Sequence, residues 1–170
     1  MKLTIGVDPG ITGAIAFIDE FDIVETFDLP TIALSGGGMI TRRIEGSALH
    51  AMVKRRAADA SQVRVFCEEV NTMGGRNNAV QTQGALVGSL RAVQAVFDVL
   101  GYPCVQVLPQ AWQAFYGLQG KNVEERQRGE LPAAIRMAVR LFPDCGFVKV
   151  KDHNKAESLL IAHWGRRHFP

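Results

Sequence analysis

Acidic side chains stand at three places in this chain where burial is expected, and each needs something to offset its charge. Asp8 closes the apolar run Leu3, Ile5, Val7 and is followed at once by Pro9-Gly10-Ile11-Thr12-Gly13. Glu68 and Glu69 sit near the end of the run VRVFCEEV. Asp152, His153 and Glu157 open the apolar stretch KDHNKAESLLIAHW. An ionised carboxylate at the end of a buried strand is costly unless a positive group lies beside it. Carboxylates on the ends of two adjacent strands repel one another, and a hard divalent cation relieves that repulsion. Mg²⁺ suits the role, since it takes oxygen ligands and keeps several waters. Two such ions about 3.5–4 Å apart can stabilise both the attacking and the leaving oxygen of a phosphoryl displacement.

Each position also has a plainer reading. Asp8-Pro9-Gly10 is a good turn starter. Successive strand residues point to opposite faces, so Glu68 and Glu69 cannot both serve one site. Asn154-Lys155-Ala156-Glu157 fits a capping box, in which the acid reaches back to the helix start. Helix geometry leaves the neighbours of Glu157 open as well. His153 is four residues before it, on one helical face, whereas Asp152 is five before it and about 140° away. A helix that already includes residue 152 favours His153. One that starts later lets Asp152 swing inward, and an anionic oxygen suits Mg²⁺ better than imidazole does, which tilts the choice to Asp152.

The elements that must position these groups are legible in the pattern. Residues 2–8, 13–19 and 22–28 read as three closely spaced strands, an antiparallel meander. Residues 30–44 hold Pro30 and the run Gly36-Gly37-Gly38 before Thr41-Arg42-Arg43, and read as a mobile loop with a possible binding role. Glu45–Ala60 is predicted helical and Val63–Val70 a strand. A long helix follows over residues 79–100, with Val80, Leu86, Val87, Leu90, Val93, Val96 and Phe97 on its buried side. Gly84 and Gly88, four apart, would let another helix approach. Pro103–Leu108 reads as a strand, and Pro109 is placed to start a helix over Gln110–Tyr116. Helices are predicted over Arg128–Phe142 and Asn154–Arg167. The order predicts an α/β domain: a five-stranded mixed sheet, three antiparallel strands then two parallel, flanked by helices.

The bulk numbers narrow the class. A chain of 170 residues suits a single domain over 1–170, and a net charge of +2 neither demands nor excludes nucleic acid. Three cysteines, widely spaced and without a C-x-x-C pair, argue against a disulfide framework and a cysteine zinc site. No signal peptide pattern and no apolar run of roughly 20 residues is apparent. A cytoplasmic protein without a membrane partner is the expectation.

Taken together, VDPGITGAIAFID, VFCEEVN about sixty residues on, and HNKAESLLIA resemble the three acidic motifs of the RuvC-type Holliday junction resolvases. The resemblance covers nearly the whole chain and implies a ribonuclease-H-like fold. The Lys-Asp-His-…-Lys-Ala-Glu version is most similar to the RuvC-like proteins of phages and prophages, implying a bacterial cell or phage-infected host. By this likeness Asp8 matches the first catalytic aspartate, Glu68 the glutamate after the apolar strand, and Glu157 the final acid. Asn154 departs from the pattern, since relatives carry Asp or His there, so the fourth group falls to Asp152 or His153. LPQAWQAFYGLQGKN resembles the segment leading to a basic region, with Lys121 the matching lysine and Gln113 standing where many relatives have lysine.

The resemblance implies a crossover junction endonuclease that makes paired nicks in four-way junctions or other branched DNA, working as a homodimer. It implies two Mg²⁺ ions per site, with Mn²⁺ able to substitute, held by Asp8, Glu68, Glu157 and Asp152 or His153. Arg42, Arg43, Arg76, Lys121, Lys151 and Lys155 are the candidate DNA contacts, the helix over 79–100 the candidate dimer surface. Two rivals stand beside this reading. A catalytically idle junction-binding protein would share the fold, and Asn154 and Gln113 speak for it. The D-x-G-x-T-G of Asp8–Gly13 also resembles the phosphate loop of actin-like and sugar-kinase ATPases, which need a second nucleotide-binding half.

Overall fold

The computed structural model describes residues 1–35, 41–70, 80–119 and 130–169. Strands β1 (Lys2–Asp8), β2 (Ala14–Asp19) and β3 (Val24–Asp28) form the meander. A short pair follows, β4 (Thr31–Ala33) and β5 (Arg42–Ile44), then helix α1 (Gly46–Arg56) and strand β6 (Gln62–Glu68). Helix α2 (Val80–Val99), strand β7 (Cys104–Val107) and helix α3 (Pro109–Phe115) complete the middle of the chain. Helices α4 (Ala133–Leu141) and α5 (His153–His168) end it, with 3₁₀ turns at Pro143–Cys145 and Val150–Asp152 between them.

The main sheet has the order β3-β2-β1-β6-β7. β1 pairs antiparallel with β2, and β2 with β3, while β1–β6 and β6–β7 are parallel. This is the predicted division into three antiparallel strands and two parallel ones. Central β1 is covered on both faces, and its interior positions are apolar or small, as a strand buried on two sides requires. Leu3, Ile5 and Val7 point into one layer with Leu49 and Val53 of α1 and Leu90, Val93 and Phe97 of α2. On the other face Phe66, Trp112, Ile135, Leu159 and Leu160 pack among α3, α4 and α5. Each fully buried side chain of this kind contributes about 1.5–3 kcal/mol.

Two expectations need revising. Residues 30–44 are not one mobile loop, because β4 and β5 pair antiparallel, with Thr31 opposite Ile44 and Ala33 opposite Arg42. Burial of Ile44 and the Arg42 Nε bond to Thr31 Oγ1 at 2.8 Å hold the pair; Gly36–Gly38 lie outside the described residues. Along α2, Leu90, Val93 and Phe97 are buried as predicted, but Leu86 is exposed. The helix rests on the sheet through its second half. Smaller shifts have local causes: β3 starts at Val24 because Asp22 is left-handed (φ 64°) and the Asp19 carboxylate accepts the amides of Phe21 and Ile23.

Candidate active site

The sheet register brings the first two acids together. Parallel pairing runs from Lys2 opposite Gln62 to Val7 opposite Cys67, so the next residue on each strand is Asp8 and Glu68. By strand alternation both point to the α5 side, the face of Gly6 and Phe66, and Glu69 points away. Gly6 is the reason α5 can come so near. A Cβ there would stand 2.1 Å from the Ser158 carbonyl oxygen and 2.5 Å from the Ala162 nitrogen. With no side chain at residue 6, the helix lies directly on β1 and Glu157, the residue before Ser158, reaches the end of the strand. Gly13 does the same for the turn, since a Cβ there would meet the Asp8 carbonyl oxygen at 2.1 Å. The Gly13 amide closes that turn on the Gly10 carbonyl at 2.8 Å, and the Gly10 amide donates to Asp8 Oδ1 at 3.4 Å.

The electrostatics follow from this crowding. Burial pushes the Asp8 carboxyl up to about 6, and the neighbouring Glu157 charge adds to the rise. Glu68 is pushed up to about 8, first by burial and then by Asp8, against the lowering effect of Trp112. His153 lowers both, so four side chains from β1, β6 and α5 share one field. His153 Nε2 lies 3.1 Å from Glu157 Oε1, and Trp112 Nε1 donates to Glu68 Oε1 at 2.9 Å.

Asp152 is elsewhere, against the expectation that tilted the fourth position to it. Its Oδ2 accepts the amides of Val148 at 3.2 Å and Lys149 at 2.9 Å, closing the 3₁₀ turn ahead of α5. The physical reason is the helix start. With α5 beginning at His153 and Asp152 at its N-cap, the aspartate serves the turn and His153 takes the face shared with Glu157. The same start removes the capping box: Glu157 is the fifth residue of the helix, too far in to reach the cap. Asn154 donates from Nδ2 to the Thr12 carbonyl, tying α5 to the turn after Asp8.

The candidate basic residues divide. Arg42 and Arg43, with Ile44, line a groove of about 300 Å³ whose other walls are Ile11, from the turn after Asp8, and Ala85, Gly88 and Ser89 of α2. Lys155 Nζ pairs with Asp28 Oδ1 at 3.3 Å, at the same end of the sheet. Lys151 is exposed on the 3₁₀ turn. Arg76 and Lys121 lie outside the described residues. Trp112 lies outside the acidic motifs. The available signal was that a buried indole N–H needs a partner; in the structure the helix after β7 begins at Pro109, two residues past Val107, the register mate of Glu68.

Three carboxylates and one imidazole, mostly hard oxygen donors, fit a divalent cation. Among the described residues no three His, Cys, Asp or Glu side chains converge closely enough to hold an ion in this conformation. Trp112 holds Oε1 of Glu68 and His153 holds Oε1 of Glu157, which leaves a second oxygen on each to offer a cation.

No protein-family model matches the chain, and no sequence among the curated proteins does. Solved structures do match. Thermus thermophilus RuvC aligns over 98% of this chain and 96% of its own, with a TM-score of 0.53 and 17% identity. T. thermophilus RuvC in complex with Holliday junction substrate aligns over 99% of this chain and 97% of its own, with a TM-score of 0.58 and 17% identity. The chain therefore has the fold of RuvC, a ribonuclease-H-like fold, over nearly its full described length. Among the described residues no helix is long and apolar enough to cross a membrane.

Proposed function

We propose that this chain is a metal-dependent endonuclease that cuts four-way junctions or other branched DNA by paired nicks, acting as a homodimer. The observation that carries the reading is the meeting of Asp8, Glu68 and Glu157 at the ends of β1 and β6 under the start of α5, where burial and mutual repulsion raise the Asp8 and Glu68 carboxyls. The fold shared with a RuvC captured on a Holliday junction supports DNA as the substrate.

Bound Mg²⁺, or Mn²⁺ in its stead, would stabilise charge on the scissile phosphate and lower the pKa of a water nucleophile. The chain's residues have distinct tasks. Asp8 and Glu68 offer oxygens from rigid strand ends, and Glu157 offers a third from the helix above. His153 fills the fourth position and orients Glu157 through their shared bond. Arg42 and Arg43, lining the groove beside the Asp8 turn, engage phosphates, as do Lys151 and Lys155. Arg76 and Lys121 are proposed contacts on sequence grounds alone. The exposed face of α2 around Gly84 is the proposed dimer surface, because a Cβ at Gly84 meets nothing within 4 Å.

The test is incubation of a labelled four-way junction with Mg²⁺, against the matching linear duplex. Symmetric nicks in the junction alone are expected. Binding without nicks would favour the idle junction-binding reading, which has the neutral Asn154 in its support. In the same assay His153→Ala should lose at least about tenfold in cutting, the scale on which removal of a metal-centre partner is felt. Asp152→Asn should cut nearly as the parent does, and the opposite ranking would return the fourth position to Asp152.

A further inference from the structure

Among the described residues, Glu68 is the one carboxylate of the group that is tied to a side chain from outside the three acidic motifs. Its Oε1 accepts a hydrogen bond of 2.9 Å from the indole Nε1 of Trp112. Trp112 is 1% exposed and sits in the layer of Phe66, Leu159 and Leu160, so the ring has no room to turn away. Its helix is anchored at both ends. Pro109 fixes the first turn directly after β7, and Tyr116 just beyond α3 is bonded through its hydroxyl to His163 Nδ1 at 2.6 Å. β7 itself is in register with β6, Val107 opposite Glu68. The indole N–H is therefore held by a frame built on the same strand pair that carries the carboxylate.

We propose that Trp112 is a positioning residue of the metal centre, whose indole N–H holds Oε1 of Glu68 and so fixes how that carboxylate is offered to a cation. A glutamate has several rotatable torsions, and a free one would lose that freedom on binding an ion. A bond to a buried, immobile donor removes much of the loss in advance, which is how partners behind metal ligands raise affinity. Packing alone does not account for the arrangement, because an aromatic hydrocarbon would fill the same layer without a donor to satisfy. The inference rests on the metal-centre reading above.

The experiment is Mn²⁺ binding to the full chain, followed by the loss of the free-ion electron paramagnetic resonance signal. Four proteins form a cycle: the parent, Trp112→Phe, Glu68→Gln and the double variant. Trp112→Phe is expected to bind Mn²⁺ about 10–100-fold more weakly, the range found for such partners. In the Glu68→Gln background the same change should have no further effect. Should Trp112→Phe not fold, as judged by circular dichroism, benzothienylalanine at position 112 keeps the shape and replaces the N–H with sulfur, and the same loss is expected. Unchanged affinity, or an equal loss in the Glu68→Gln background, would overturn the role of Trp112. A parent chain that binds no Mn²⁺ would overturn the metal-centre reading and this role with it. A parent that binds, loses binding on Glu68→Gln and keeps it on Trp112→Phe overturns the role alone.

Discussion

Helix α5 spans the sheet, and its two ends treat acids in opposite ways. At its C-terminal end, beside the start of β1, acids meet cations. Arg166 bonds the Asp22 carboxylate and the Asp19 carbonyl, and the N-terminal amine lies 3.9 Å from Glu20; at the same end of the sheet, on its α1 face, Arg56 bonds Glu25 at 2.6 Å. Arg166, Arg167 and His168 also lie in the last turn of the helix, where positive charge complements the dipole. At the N-terminal end, Asp8, Glu68 and Glu157 face one another, and among the described residues His153 is the basic group that acts on Asp8 and Glu68. The paired end is ordinary surface electrostatics, worth little to stability or function. Among the described residues the acidic end keeps repulsion that protons or an added cation relieve, and that asymmetry marks where chemistry belongs.

The sharpest way to break the comparison is to neutralise one acid at the acidic end. Asp8→Asn is expected to reduce junction cutting by at least about a thousandfold, since a metal-held phosphate draws several kcal/mol of stabilisation and each 1.36 kcal/mol is tenfold. Junction binding should persist, and thermal stability should hold or rise, because the change removes a buried charge pressed against Glu68 and Glu157. A variant that instead fails to fold would make Asp8 a structural turn residue.

The second effect appears without DNA. Asp8 and Glu68 are raised to about 6 and about 8 in the folded chain, chiefly by burial, from ordinary values of 3.8 and 4.5. Across that window the folded chain holds protons that the unfolded chain has already released, so the metal-free protein loses stability as pH rises from about 4 to about 8. The loss is complete once pH passes the folded value of Glu68. Saturating Mg²⁺ should flatten the trend, because cation binding favours the ionised carboxylates and displaces those protons. Thermal melts at pH 5, 6.5 and 8, with and without Mg²⁺, measure this. A metal-free midpoint that climbs with pH would contradict the crowding of the acids.

What was legible in the sequence divides along the same line. The strand order and the three acids were readable because each rests on local signals: period-2 apolar runs, a Pro-Gly turn, an acid at the edge of an apolar stretch. What escaped depended on contacts across the fold. Whether Asp152 or His153 joins the acids turns on where α5 starts, and the amides of Val148 and Lys149 settle where the aspartate is spent. Gly6 is silent in a strand pattern until a helix lies on it. The β4–β5 pair was hidden because a glycine run separates two three-residue strands, too short for any periodicity to register.

The smallest effect belongs to the paired end and serves as the control. Glu25→Gln removes the acid from the 2.6 Å contact with Arg56, whose partner side chain is 54% exposed. The Arg56 side chain is 16% exposed but keeps its bond to the Met52 carbonyl, so the expected cost is about 1 kcal/mol in chemical denaturation. Arg56 also lies over the Phe27 ring, 3.9 Å from its centroid, and keeps that contact in the variant. Junction cutting should not change, and any loss of stability should shrink as salt is raised. A Glu25→Gln chain that lost cutting as Asp8→Asn does would mean that the two ends of the sheet are coupled. The asymmetry between them would then no longer identify the site.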